Sequence, residues 1–350
     1  MDMTIGSIDL IPLEVPPAVS SIRRIGDGFK AFQVLRAAYG SGLFDWLEQH
    51  GPTDKSTLAA ALGLRGAHFG GFLQALEDLG LLVRRDNAYT VVPGMSEALC
   101  STSPWCQAEA VDNLLAPSCG WSDLERFLSE GWTAVAQPAA LPLPLTLHPF
   151  LGEANRLATY LTARQVERQN SPSVRTLLCF DGGDGLLAAA LCQHFPDARV
   201  TVVVMPEALP RAEETIAACG LAGRCRVLPG TPLDPPPAAV LVPFDYVVLF
   251  HSLYAVRKST ADALAAVSAC LVPGGELCCA HWFCLEACET APGGLRDLDR
   301  AVLTDSHPLC RVEQFCQRLE EAGLIDTERD DLTGEYGSTK LHFARRPANR

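Results

Sequence analysis

Apolar positions change their period part-way along the chain. From residue 21 to residue 50 they recur at helical spacing through Ile25, Phe29, Phe32, Leu35 and Leu43, with Gly40 and Gly42 interrupting the run. Pro52, Thr53, Asp54 and Lys55 form a helix-start signal ahead of the apolar stretch Leu58 to Leu64. From His68 to Leu79 the residues Phe69, Phe72, Leu73, Leu76 and Leu79 share one helical face, and Gly80 ends it. Leu81 to Val83 and Tyr89 to Val92 then flank the polar turn Arg84 to Asn87, which reads as a short hairpin. Helices followed by a hairpin predict a winged helix.

Beyond Arg175 the pattern becomes that of a buried parallel sheet. Near-continuous apolar runs at 176–180, 200–205, 225–228, 246–250 and 276–281 alternate with helical segments at 186–194, 207–218 and 261–270. Strands buried on both faces and separated by helices predict a mostly parallel, Rossmann-like α/β sheet. A further helix is predicted at 314–322 and an antiparallel edge strand at 341–343. Between the two halves lies an irregular stretch. Trp121 and Trp132 mark two short helical segments, Pro138 to Pro149 is a proline-rich connector, and Ala154 to Gln169 is a helix leading into the second half. The expected organisation is a winged-helix domain at 1–100, a helical connector at 101–165 that contributes to a substrate cavity, and a Rossmann-like domain at 166–350.

Charge and cysteine content narrow the reading. A net charge of −13 opposes a phosphate backbone, and the candidate recognition helix between Ala67 and Gly80 has no Lys or Arg but two acids, Glu77 and Asp78. The winged helix is therefore read as a packing or dimerisation module, with no nucleic-acid partner. The start of the chain has neither a basic nor an apolar leader region, and no apolar run reaches a membrane span, so a cytoplasmic location without membrane contact is expected. Fourteen cysteines in such a chain read as free thiols, and Cys179, Cys192, Cys270 and Cys278 as small buried hydrophobes.

The candidate chemistry begins where the first parallel strand runs into Phe180-Asp181-Gly182-Gly183-Asp184-Gly185, directly ahead of a helix. A glycine-rich turn at this place lets backbone approach a ligand at the helix amino-terminus. Together with FKAFQVLRAAYGSGLFDWL (29–47), FLQALEDLGLLVR (72–84), FPDARVTVVVMPEAL (195–209), FDYVVLFHSLYAV (244–256), LVPGGELCCAHWF (271–283) and FCQRLEEAGL (315–324), this loop resembles the small-molecule O-methyltransferases of the acetylserotonin/hydroxyindole type over nearly the whole chain. The resemblance implies a class I S-adenosylmethionine-dependent fold, a homodimer formed through the winged helix, S-adenosylmethionine as cofactor, and a small hydroxylated or aromatic metabolite as substrate.

Mapped by that resemblance, the cofactor would meet Asp181, Gly183, Gly185, Val204, Met205 and Thr231. Several of these positions depart from the family pattern. Cys179 stands for the acid of the first strand, Asp181 for the first loop glycine, Val204 for the acid that holds the ribose hydroxyls, and Thr231 for the usual Asp near the adenine. Each lost carboxylate removes charge-assisted hydrogen bonds worth about 1.5–3 kcal/mol apiece, while Asp181 would set a negative charge beside the methionine carboxylate. The family's general base aligns with Tyr254, a phenol, and phenols ordinarily titrate near 10. His251 and His281 end neighbouring strands and are candidates for a relocated base. With Cys284 they form an alternative metal set, although Cys278 and Cys279 point to opposite faces of the strand. The plain alternative makes both histidines hydrogen-bonding wall residues. Two functional readings thus stay open: an O-methyltransferase with His251, Tyr254 or His281 handling the proton, and a degenerate member that binds or scaffolds, or runs different chemistry in the same cleft.

Overall fold

The computed structural model describes residues 14–64, 66–117, 119–130, 145–148, 150–167, 174–237, 243–283, 309, 312–334 and 337–348, with short pieces at 295, 298–299 and 302. Trp132, Cys284, Cys288 and most of the proline-rich connector lie outside these residues. The chain divides into two compact units, Met1–Ala116 and Pro117–Arg350.

The first unit contains α1 (Pro17–Gly40), α2 (Leu43–His50), α3 (Lys55–Leu62) and α4 (Phe69–Asp78), with β1 (Thr53–Asp54), β2 (Leu82–Arg85) and β3 (Ala88–Val91) in a small antiparallel sheet of order β1-β3-β2. Short helices α5 (Ser96–Leu99) and α6 (Ala108–Asn113) follow. Pro17 opens α1 where its missing N–H is not needed. The predicted run from 21 to 50 is two helices, because Ser41 and Gly42 close α1 and Gly42, at φ 69°, starts α2 in the left-handed region. Asp54 caps α3, its carboxylate accepting from the N–H groups of Ser56 (2.8 Å) and Thr57 (3.1 Å). The hairpin turns on Asp86 and Asn87, both at positive φ (49° and 65°), between paired Arg85 and Ala88, as the twist of a two-residue loop requires. Leu43, Phe44, Leu47, Leu58, Leu73 and Leu76 form its core.

The second unit opens with α7 (Leu124–Glu130) and α8 (Leu151–Glu167), then alternates strand and helix: β4 (Thr176–Asp181), α9 (Leu186–His194), β5 (Arg199–Val204), α10 (Leu209–Ala218), β6 (Cys225–Pro229), β7 (Phe244–Phe250), α11 (Thr260–Ala269) and β8 (Leu271–His281). It closes with α12 (Val312–Glu321), β9 (Ile325–Gly334) and β10 (Gly337–Arg345). The seven strands lie in the order β6-β5-β4-β7-β8-β10-β9, with β6 to β8 parallel and β10 and β9 antiparallel. Burial on both faces explains why β4 and β7 read as unbroken apolar runs. Leu177, Leu178, Cys179 and Phe180 are buried, as are Val247 to Phe250. The cysteines of β4, α9 and β8 are buried free thiols in this core.

β9 was not expected from the pattern. Its sequence, IDTERDDLTG, has five charged residues, and it sits at the sheet edge where charge is tolerated and discourages further pairing. Among the described residues no helix is long and apolar enough to cross a membrane.

Candidate active site at the carboxyl edge of the sheet

The chain runs from β4 outward to β5 and β6, then crosses back to place β7 on the other side of β4. Carboxyl ends of β4 and β7 therefore flank a topological switch point, where open α/β sheets take their ligands. Asp181 ends β4 opposite Phe250, and His251 follows directly. The two ends approach so closely that only glycine fits between them: the Gly182 N–H donates to the Phe250 carbonyl (2.8 Å), and a Cβ at Gly182 would lie 2.5 Å from the His251 carbonyl oxygen.

Within the glycine loop Asp181 turns inward. Its Oδ1 accepts from the Gly183 N–H (2.6 Å), and its Oδ2 accepts from the N–H of Ala188 in the first turn of α9 (3.1 Å). Asp181 thereby satisfies a helix-terminal donor that a bound anion would otherwise meet. Burial lifts its pKa to about 6, against the opposing pull of these two hydrogen bonds. Gly183 and Gly185, expected at the cofactor, are buried away from the cleft. Gly183 lies under Phe150 and Gly185 packs on Ala212. Gly182 is the exposed glycine of the loop and lines the cleft instead. Asp184 (φ 57°) turns outward to Arg211 Nε (2.8 Å) and His148 Nε2 (3.2 Å), and His148 Nδ1 accepts from the Phe150 N–H (3.1 Å).

The cleft at this edge has a volume of about 690 Å³, within the ordinary range for a small-molecule site. Asp181, Val204, Met205, Thr231, His251 and Tyr254 all line it. Its floor is apolar, built from Phe180, Val203 and Val204, with Met205, Pro232, Leu233 and Val256 around it. Glu207, Ser252, Arg257, Lys258 and Ser259 add polar groups that the sequence reading did not single out. Glu207 follows the end of β5 by three residues, and the Arg257-Lys258 pair follows Val256, so both were visible as polar residues just past strand ends.

His281 is placed differently. It is fully buried at the end of β8, does not line the cleft, and its Nε2 accepts from the backbone N–H groups of Ser252 and Leu253 (3.1 Å each). An imidazole accepting at Nε2 is neutral with its proton on Nδ1. Burial, then the neighbouring His251 and His342, pushes its pKa well below the usual value. The ring holds the turn after β7 and has no lone pair left for a substrate proton. His251 and His281 are neighbours, with ring centroids 6.2 Å apart, but only His251 reaches the cleft. Among the described residues no three His, Cys, Asp or Glu side chains gather as metal ligands.

His251 sits at φ 48°, a strained backbone region for a non-glycine residue. Its Nε2 lies 2.7 Å from Glu153 Oε1 of α8 and its Nδ1 2.6 Å from Tyr254 Oη. The Trp282 backbone N–H donates to Tyr254 Oη (2.9 Å). At the far end the Trp282 indole N–H donates to Thr339 Oγ1 (3.0 Å), whose hydroxyl contacts Glu153 Oε1. Phe150 stacks on the His251 ring at 4.6 Å. Glu153 and Thr339 have no sequence signal that links them to position 251, since they are 98 residues before and 88 after it; only the fold joins them.

No family model matches the chain. It is similar to 3-hydroxy-5-methyl-1-naphthoate 3-O-methyltransferase of Streptomyces sahachiroi, 28% identical over 223 residues, which are 57% of this chain and 59% of that enzyme. The chain thus spans little more than half the length of this curated relative. Among solved structures it is similar to an O-methyltransferase family protein from Burkholderia thailandensis, with a TM-score of 0.72, 20% identity, and coverage of 96% of this chain and 100% of the other. It is also similar to human N-acetylserotonin methyltransferase in complex with SAM, with a TM-score of 0.63, 21% identity, and coverage of 96% and 99%. The fold is that of the class I O-methyltransferases. That fold accounts for the mostly parallel sheet and for a cleft at the carboxyl ends of β4, β5 and β7.

Proposed function

We propose that this chain is an S-adenosylmethionine-dependent O-methyltransferase of a small hydroxylated or aromatic metabolite, working as a homodimer. The observation that carries this reading is the cleft at the β4–β7 switch point, which joins an apolar slot to a polar wall bearing Tyr254 and His251. The similarity to O-methyltransferases and to a SAM complex supports it.

The lining residues fit such a cofactor. Val204, Met205, Pro232, Leu233 and Val256 offer apolar surface for a flat heterocycle, and the Thr231 hydroxyl and Glu207 carboxylate lie within the same cleft to meet hydroxyl groups. When bound, the cofactor supplies an electrophilic methyl group on a sulfonium. Gly182 lets β4 and β7 close up so that the cleft wall and its floor are continuous. His281 fixes the Ser252–Leu253 turn, and Tyr254, which lines the cleft, has its hydroxyl held by the Trp282 N–H. Orienting an acceptor hydroxyl in line with the methyl group, with a proton acceptor beside it, is what this transfer needs.

A second reading is favoured by Asp181 and Phe150. One fills the loop's amide donors and the other covers Gly183, as expected of a relative that binds a different small molecule or serves as a binding subunit. Isothermal titration with S-adenosylhomocysteine separates the two. Micromolar binding that weakens when Met205 is changed to Asp is expected; no heat at millimolar ligand overturns the methyltransferase reading in favour of the second.

A further inference from the structure

With Glu153 ionised and His251 neutral, the hydrogen bonds around His251 run in one direction. An indole N–H can only donate, so Thr339 Oγ1 accepts from Trp282 Nε1 and turns its own proton to Glu153 Oε1. That oxygen, already accepting, faces His251 Nε2 at 2.7 Å, so an ionised Glu153 receives the Nε2–H. His251 Nδ1 is then the bare lone pair and accepts the Tyr254 hydroxyl at 2.6 Å. The backbone N–H of Trp282 meets Tyr254 Oη at 2.9 Å, so the chain begins and ends on one residue. Every heavy atom in it belongs to a buried residue: Glu153, His251, Tyr254, Trp282 and Thr339 are between 2% and 9% exposed. Water therefore competes little for these bonds.

We infer that Glu153, His251 and Tyr254 form a proton relay in which the Tyr254 oxygen, not an imidazole nitrogen, takes the proton of the acceptor hydroxyl. This rests on the methyltransferase reading. His251 lines the cleft, but both its ring nitrogens are engaged, so a proton reaches it by way of Tyr254. As the acceptor oxygen forms its bond to the methyl carbon, the sulfur–methyl bond breaks with its electron pair left on sulfur. The acceptor's proton passes to Tyr254 Oη, the Tyr254 proton passes to His251 Nδ1, and the positive charge lost by the sulfonium reappears on an imidazolium paired with Glu153. His251 is a positioning and proton-holding residue behind Tyr254, and Glu153 fixes its tautomer in the way a carboxylate orients an imidazole elsewhere.

The test is made on the full-length protein with two readouts that need no substrate. Long-range ¹H–¹⁵N NMR of histidine side chains is expected to show His251 as the Nε2–H tautomer, with a strongly downfield Nε2 proton that disappears in Glu153→Gln. Labelling of Tyr254 by an aryl sulfonyl fluoride, followed by peptide mass spectrometry, is expected to be 10-fold or more slower in Glu153→Gln and restored toward the wild-type rate by Glu153→Asp. An Nδ1–H tautomer, or labelling unchanged in Glu153→Gln, overturns the relay. If Glu153→Gln does not fold, Thr339→Val replaces it. Its expected effect is a shifted His251 Nε2 proton and slower labelling, and unchanged signals overturn the relay equally. S-adenosylhomocysteine titration of the same samples keeps the two ideas apart: an intact NMR signature without binding removes the methyltransferase reading alone, and binding with the wrong tautomer removes the relay alone.

Discussion

At the scale of single residues, the glycine loop shows how a conserved-looking spacing can hide a change of roles. Asp181 occupies the donors of its own loop, and burial raises its carboxyl to about 6 from an ordinary 3.8. A folded-state pKa above the unfolded one means that the native protein holds this proton more tightly. Its contribution to stability is thus fully present below about pH 4 and is lost as pH rises through about 6, by roughly 3 kcal/mol in all at about 1.4 kcal/mol per pKa unit. Asp181→Asn removes that titration. Its urea midpoint is expected to fall less between pH 4.5 and pH 7 than the wild-type midpoint does, whatever the constant cost of losing one loop hydrogen bond. Parallel slopes for the two proteins would show that Asp181 is ionised throughout. The same loop marks where residue-level reading stops. Val204, Met205, Thr231 and Tyr254 were legible through the family resemblance and His251 through its place at a strand end, and all five line one cleft. Gly182 was hidden by its neighbours: three glycines in six residues look alike in sequence, and only the 2.5 Å approach to the His251 carbonyl separates them. His281 was legible as a strand-end histidine but not as an acceptor for two backbone N–H groups, because that depends on how the turn after β7 folds back.

At the scale of elements, periodicity located nearly every helix and parallel strand, with ends displaced by a few residues. β8 starts at Leu271 rather than Glu276, with Gly274, at φ 81°, in the irregular stretch between the Leu271 and Glu276 pairings to β7. Edge strands were the weak point. β10 runs from Gly337 to Arg345 although only Leu341, His342 and Phe343 announced it, and β9 has no apolar period at all, being held by backbone pairing to β10. Turn chemistry was more informative, as the β2–β3 hairpin shows. Asn87 is at φ 65° in a two-residue loop whose second position favours glycine. Asn87→Gly is expected to stabilise the first unit by about 0.5 kcal/mol, since glycine carries no Cβ penalty in the left-handed region. A rise of a degree or more in the melting transition checks this, and a fall would mean that the turn is not of this type.

On the scale of the whole molecule, the first half of α1 calls for a partner. Residues 21–30 are all exposed, whereas from Ala31 onward the helix is partly buried. The exposed half carries Ile22, Ile25 and Phe29 at 69%, 74% and 61% exposure, spaced three and four residues apart on one face. An apolar stripe on a helix segment this short gains too little from its own hydrogen bonds to persist in water, so its helicity must come from packing. A second copy of the chain is the occupant that the homodimer proposal supplies, because the same stripe on both copies is self-complementary about a two-fold axis. Light scattering at micromolar concentration is expected to give twice the chain mass for the native protein. The double substitution Ile25→Glu and Phe29→Glu places four carboxylates at such an interface, where neither desolvation nor like-charge repulsion is offset, and is expected to give a monomer that still melts cooperatively. If the native protein is a monomer, or if the doubly charged variant keeps the dimer mass, α1 is covered by something other than its own copy, and the proposed assembly falls without affecting the chemistry assigned to the β4–β7 edge.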